Sequence, residues 1–261
     1  FVSLWYSEAD SGVFLLSTII TLLAGVIGLL VGRRAESRMG EREGYVIVAM
    51  VWVVFSAFGL LPYYLSGQVP SLTDAWFESM SGFTTTGATI IPDLEVITHG
   101  LLFWRSLTQW IGGMGIIVLS IAILPIFGLN GMQLYAAEVS GLTYEKVSPR
   151  IADTAKMMWS IYVLLTVTEV VALWLCGMDM FDAVCHSFST IATGGFSTHN
   201  NSLEYYDSAA IHYTVTFFMF ISGINFVMLI YLLRGKTRYF FKDEELRWYS
   251  VAVVIFAVLL T

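Results

Sequence analysis

Two short polar stretches with glycine near the centre hold the residues best suited to chemistry. They are Thr84-Thr85-Thr86-Gly87-Ala88-Thr89 and Ala192-Thr193-Gly194-Gly195-Phe196-Ser197. The chemistry they suit is coordination, not bond-making. Small residues around glycine let consecutive backbone carbonyls turn one way, and a ring of such carbonyls replaces the water shell of a cation. Gly87 and Gly194 offer backbone angles closed to other residues. Thr86 and Thr193 precede them and add a hydroxyl to the carbonyl. Carbonyl oxygens are hard ligands that suit alkali cations, and no cluster of carboxylates marks a calcium site.

Residues for covalent chemistry are poorly arranged. Cys185-His186-Ser187 are consecutive, so on a helix they point in different directions and make no nucleophile–base pair. His99, His186, His199 and His212 lack a metal-binding spacing. The two cysteines, Cys176 and Cys185, do not amount to a disulfide framework. The reading is therefore of a protein that is not an enzyme and binds no cofactor.

The elements that must hold these stretches are apolar helices. The chain has 261 residues, of which 57% are hydrophobic and 13% charged, with a mean hydropathy of +0.74. So much apolar surface needs a bilayer as solvent. Apolar runs fall at 12–32, 45–65, 101–127, 157–176, 212–233 and from Trp248 onward. Each complete run is long enough as helix to cross about 30 Å of hydrocarbon. Arg33, Arg34, Arg38 and Arg42 lie in the first connection, Lys146, Arg150 and Lys156 in the third, and Arg234, Lys236, Arg238, Lys242 and Arg247 in the fifth. Those are all of the 13 basic residues except Arg105. The positive-inside rule then places these connections in the cytoplasm and both Gly-bearing stretches outside. The outer connections carry Asp74, Glu78, Asp93, Glu95, Asp179, Asp182, Glu204 and Asp207, a set that would gather cations. The net charge of -7 argues against a nucleic-acid partner.

A repeat is visible. Asp74-Ala-Trp-Phe-Glu-Ser-Met-Ser-Gly-Phe83 aligns with Asp182-Ala-Val-Cys-His-Ser-Phe-Ser-Thr-Ile191, with one extra residue before the glycine of the first copy. The unit is helix, short pore helix, filter strand, helix. The short helices start at Asp74 and Asp182, or a turn earlier at Ser71 and Asp179; either pair offers an N-capping oxygen. Their C-termini point partial negative charge at the bilayer centre, which favours a desolvated cation.

Two ionisable groups fall inside the apolar framework. Arg105 needs a partner there, and Glu78 on the first pore helix is the candidate brace. Glu169 is protonated, faces water, or bonds a polar neighbour such as Thr166. Gly112, Gly113, Gly115 and Gly223 point to close helix packing more than to a hinge. Pro62 ends or kinks its helix.

These residues resemble the Trk/Ktr/HKT superfamily of potassium transporters, and within it the bacterial TrkH-type uptake subunit. Thr84–Thr89 is similar to the first filter of that group and Ser189–Ser197 to the second. Phe103-Trp-Arg-Ser-Leu-Thr-Gln-Trp-Ile-Gly-Gly-Met-Gly115 is similar to the helix after the first filter. The resemblance implies an all-α polytopic membrane protein with helix–pore helix–filter loop–helix units as in potassium channels. Two of the family's four repeats are present, so the chain reads as a fragment. The implied division is a preceding helix and loop at 1–42, a first repeat at 43–130, a second at 131–240 and the start of a third at 241–261. Carried over by position, the ion-binding residues are Thr85, Thr86, Gly87, Ala88 and Thr89, then Ala192, Thr193, Gly194, Gly195 and Phe196. Neither copy has the Tyr-Gly end of the potassium-channel TVGYG strand, which implies weaker discrimination against sodium. The resemblance also implies K+ as transported ion, an inner-membrane location, a homodimer in membrane lipid, and a cytoplasmic nucleotide-binding TrkA-like subunit. Arg234–Arg247 serve that contact or act as plain cytoplasmic anchors. The alternative is a proton- or sodium-coupled symporter with alternating access, which wants paired carboxylates near midplane; Glu169 alone is offered.

Overall fold

The computed structural model describes residues 1–33, 41–115 and 151–260, and every regular element among them is helical. The order is α1 (Val2–Trp5), α2 (Ser11–Gly32), α3 (Glu41–Gly59), α4 (Leu61–Leu65), α5 (Leu72–Phe83), α6 (His99–Gly113), α7 (Ile151–Leu175), α8 (Met180–Ile191), a 3-10 turn (Ser202–Tyr205), α9 (Ala209–Ser222), α10 (Phe226–Leu233), α11 (Thr237–Lys242) and α12 (Glu244–Leu260). The chain is an all-α membrane protein. Ser11–Gly32 and Lys156–Leu175 are each long and apolar enough to cross a membrane alone. At 1.5 Å per residue, α2 is roughly 33 Å long. Its leucines, isoleucines and valines are largely exposed, as a lipid-facing helix requires.

Most predicted spans appear where hydropathy placed them. The run 45–65 is α3 followed by α4, with a break at Leu60 and Pro62 at the start of α4. The run 101–127 begins as α6; its part beyond Gly115 lies outside the described residues, as do Arg34, Arg38, Lys146 and Arg150. The run 212–233 differs from expectation. It is two helices, α9 and α10, bent by 100° at Gly223-Ile224-Asn225. Asn225 caps the second, its side-chain oxygen accepting the Val227 N–H at 3.0 Å. Hydropathy sees through such a break, because polar Ser222 and Asn225 lie between the apolar runs 217–221 and 226–233 and barely lower the average. Tyr249 on α12 stabilises the bend, donating to the Phe220 carbonyl at 3.2 Å and lying against Gly223.

The two short helices are built alike. Ser71 caps α5, accepting the Asp74 N–H at 3.3 Å, and Asp179 caps α8, accepting the Phe181 N–H at 2.9 Å. The earlier of the two predicted starts is therefore the real one. Leu60, Tyr63, Ala75, Leu101 and Leu102 form the core around α5. Ile161, Tyr162, Ile191, Phe218 and Ile230 form a second core beside α8, and Leu173, Ala183, Ile211 and Val215 a third. Helix α8 packs on both α6 and α7, so the second short helix is wedged against the helix that follows the first. Cys176 and Cys185 are free thiols.

Candidate functional site

Both short helices end in the same hydrogen-bonded turn. At the end of α5, the Thr84, Thr85 and Thr86 N–H groups donate to the Met80, Gly82 and Ser81 carbonyls. At the end of α8, Ala192, Thr193 and Gly194 donate to Phe188, Thr190 and Ser189. This is a Schellman-type cap, with the residue after the C-cap in the left-handed region. Those residues are Thr85 (φ 52°) and Thr193 (φ 54°). A β-branched residue there is strained, and such strain collects at functional sites. Two positions on, Gly87 (φ 75°) and Gly195 (φ 85°) are again left-handed.

These matched angles correct the sequence alignment. Thr85 pairs with Thr193 and Gly87 with Gly195, in the register that also pairs Asp74 with Asp182. No extra residue separates the copies. Gly194 is the counterpart of Thr86 and its φ is not positive, so backbone freedom is not why it is glycine. A Cβ on Gly194 would lie 2.4 Å from the Gln109 side-chain amide. A Cβ on Gly87 would lie 1.9 Å from the Gly194 carbonyl oxygen. The two strands thus meet backbone to backbone, and only glycines permit it.

The peptide planes fix where several carbonyls point. In a planar trans peptide the C=O and the next N–H are antiparallel. N–H groups returning to the short helices turn the Thr84, Thr85, Ala192 and Thr193 carbonyls away from those helices. The Ala88 carbonyl is different: it accepts the Ser81 hydroxyl at 2.6 Å. On the side-chain side, Thr84, Thr86, Ala88, Thr89, Thr193 and Gly195 are exposed, whereas Phe196 is buried.

Behind the strands lies a buried ion pair. Arg105 Nε donates to Glu78 Oε1 at 2.6 Å, and the two side chains are 1% and 0% exposed. The Glu78 carboxylate also accepts from Thr89 Oγ1 at 3.0 Å and from the Ile90 N–H at 3.1 Å. Arg105 Nη1 donates to the Ser197 carbonyl at 2.9 Å, and its guanidinium lies 3.9 Å over the Phe196 ring. The pair links Thr89 and Ile90, which follow Gly87, to Phe196 and Ser197, which follow Gly195. Burial also removes Glu78 from the acidic outer surface to which sequence assigned it.

Beyond the strands, the connections that follow them are laced together. Asn200 accepts the Leu94 N–H and donates to Asp93, both at 2.7 Å. His199 stacks on Tyr205 and faces Asp182 and Glu95, each at 3.1 Å. Burial pushes the Asp182 carboxyl up, but hydrogen bonds from Tyr206, Thr198 and His199 outweigh it and hold it below the usual range. No group of three His, Cys, Asp or Glu residues able to hold a metal ion occurs among the described residues. Glu169 is fully buried in α7. It does not bond Thr166, whose hydroxyl donates to the Tyr162 carbonyl and accepts from Trp110.

Gln109 is the residue sequence reasoning left without a role. Its Oε1 accepts the Phe196 N–H at 3.2 Å and the Ser189 hydroxyl. Its spacing of four from Arg105, on one helix face, was the available signal.

Comparison with known proteins decides the family. A family model described as TrkH, cation transport protein, matches residues 11–261. The chain belongs to the TrkH family. It is 46% identical to the Trk system potassium uptake protein TrkH of Salmonella typhimurium, over all of this chain and 54% of that one. It is also 46% identical to TrkH of Escherichia coli, over 95% of this chain and 52% of the relative. A crystal structure of the potassium transporter TrkH from Vibrio parahaemolyticus superposes with a TM-score of 0.83 at 41% identity, covering 98% of this chain and 53% of that one. The chain thus spans about half the length of the relatives it matches.

Proposed function

We propose that this TrkH-family chain supplies two adjacent sectors of a potassium-conducting ring in a K+ uptake system. The observation that carries the reading is the matched pair of strained strands. Two helix ends carry the same cap and the same alternation of left-handed residues, and their backbones touch at Gly87 and Gly194. Ordinary loops have no reason to repeat a strained backbone at contact distance. Exposed strand faces with braces buried behind them suit ion coordination on the open side.

In this reading the ligands are main-chain oxygens of Thr85, Thr86, Gly87, Thr193, Gly194 and Gly195, with the Thr85 and Thr193 carbonyls already turned off the helices. Ala88, Thr89, Ala192 and Phe196 complete the assigned stretch. Of these, Ala88, Thr89 and Phe196 act chiefly by fixing its shape: Ala88 is held by Ser81, Thr89 by Glu78 and Phe196 by Arg105 and Gln109. K+ enters from an acidic outer face, exchanges water for carbonyls, and leaves along the inner helices. Helix C-termini aimed at the strands favour the dehydrated cation. The division into 1–42, 43–130, 131–240 and 241–261 belongs to the same proposal. So do a location in the inner membrane with the strands facing out, assembly as a homodimer, and a cytoplasmic nucleotide-binding partner.

The test uses the full-length protein containing this segment, reconstituted in liposomes. Gly87→Ser and Gly195→Ser should each lower the K+/Na+ permeability ratio, because both place a side chain on a left-handed residue in the strand. If both variants keep the wild-type ratio, the filter assignment fails.

A further inference from the structure

Gln109 is costly where it sits. The side chain is fully buried, and its Nε2 has no hydrogen-bond partner among the described residues. A leucine would fill a similar volume without burying unpaired N–H groups. The amide reaches out of the first repeat into the second, to partners 80 and 87 positions further along the chain.

What the amide touches explains its retention. Its oxygen is anchored by the Ser189 hydroxyl, which belongs to the second short helix. The same oxygen accepts the Phe196 N–H. Its flat face lies on Gly194, leaving no room for a Cβ there. The Gly195–Phe196 peptide is the plane most in need of a hold. Gly195 is left-handed at φ 85°, and nothing lies within 4 Å of where its Cβ would be. Glycine with no packing neighbour gives that plane the freedom to rotate.

The two repeats solve the same mechanical problem differently. Ser81 and Ser189 occupy equivalent positions on the two short helices, and Ala88 and Phe196 equivalent positions on the two strands. In the first repeat the serine hydroxyl reaches the strand itself and holds the Ala88 carbonyl. In the second it holds Gln109, which holds the Phe196 N–H. One strand is pinned by a C=O, the other by an N–H.

We infer that Gln109 is a positioning residue for the second strand: by holding the Phe196 N–H it turns the Gly195 carbonyl toward the ion path and thereby sets cation discrimination. The inference rests on the filter reading above. The carbonyl follows because C=O and N–H of one trans peptide point opposite ways. The first repeat's helix therefore tunes the second repeat's strand, so selectivity is a joint property of neighbouring sectors.

The experiment measures K+/Na+ permeability ratios of the full-length protein in liposomes, with thermal melting of each variant alongside. Gln109→Met has similar volume and no acceptor, and should lower the ratio about tenfold, or about 1.4 kcal/mol. Gln109→Glu keeps an acceptor oxygen and should stay within about twofold of wild type, since the hold needs only that atom. A folded Gln109→Met with the wild-type ratio overturns the inference, and so does a Gln109→Glu as impaired as Gln109→Met. If Gln109→Met does not fold, Ser189→Ala decides: it frees the amide to rotate and should shift the ratio in the same direction, and an unchanged ratio overturns the inference. Gly195→Ser and Gly87→Ser separate the two readings. If either shifts the ratio while Gln109→Met does not, only the role of Gln109 fails; if none of the three shifts it, the filter assignment fails as well.

Discussion

Replacing Arg105 by methionine should be among the most destabilising single changes in the first repeat. The substitution leaves the Glu78 carboxylate at 0% exposure with Thr89 and Ile90 as its donors among the described residues. Breaking a buried pair from one side costs about 3–5 kcal/mol, because the remaining charge has lost its counterion and cannot reach water. The stacking of the guanidinium on Phe196 is lost too, worth about 2 kcal/mol for a desolvated contact. The two terms overlap at one side chain, so the expectation is about 4 kcal/mol rather than their sum. Glu78→Gln alone strands Arg105 and should cost about 3 kcal/mol. The double variant buries no charge, so the two costs should not add; a coupling energy of about 2 kcal/mol or more is expected. The assay is equilibrium unfolding of the full-length protein in mixed micelles, followed by the fluorescence of Trp104 and Trp110 on the helix that carries Arg105. Additive costs in the double variant, or a cost below about 1 kcal/mol for Arg105→Met, would refute the reasoning. Either result would mean that water or another group compensates Glu78.

Two other changes test the frame around the strands. Asp182 is held below its ordinary value of 3.8, so its stabilising contribution is complete above that value and is lost as pH falls through the lower, folded one. Asp182→Asn should therefore flatten the loss of thermal stability below about pH 4, read from melting temperatures across an acid pH series. Gly113→Leu should abolish correct assembly, since even a Cβ there would lie 2.6 Å from the Ala192 backbone and 2.8 Å from the Tyr162 hydroxyl. Loss of folded, detergent-stable protein on size-exclusion chromatography is the expected result, and wild-type yield would show that α6 and the second strand can separate.

The amino-acid sequence by itself determined what depends on composition and on neighbours along the chain. Hydropathy located the helices, because burial in lipid acts on every residue of a span. Capping residues marked the short helices to within a turn, because a capping oxygen satisfies N–H groups only two or three residues away, and the structure chose Ser71 and Asp179 over Asp74 and Asp182. Glu78 was legible as a partner for Arg105, because a charge deep among apolar helices has few affordable partners and Glu78 lies on the adjoining short helix. Tertiary structure decided the rest. Left-handed angles at Thr85, Gly87, Thr193 and Gly195 fixed the register of the two strands, whereas matching glycine to glycine gave Gly194 the part that belongs to Gly195. The bend at Gly223–Asn225 is held by Tyr249, a contact that an apolar run cannot announce. Gln109 shows the reason most plainly. It meets its partners 80 and 87 residues along the chain, and only the packing of α6 against α8 brings that amide to the second strand.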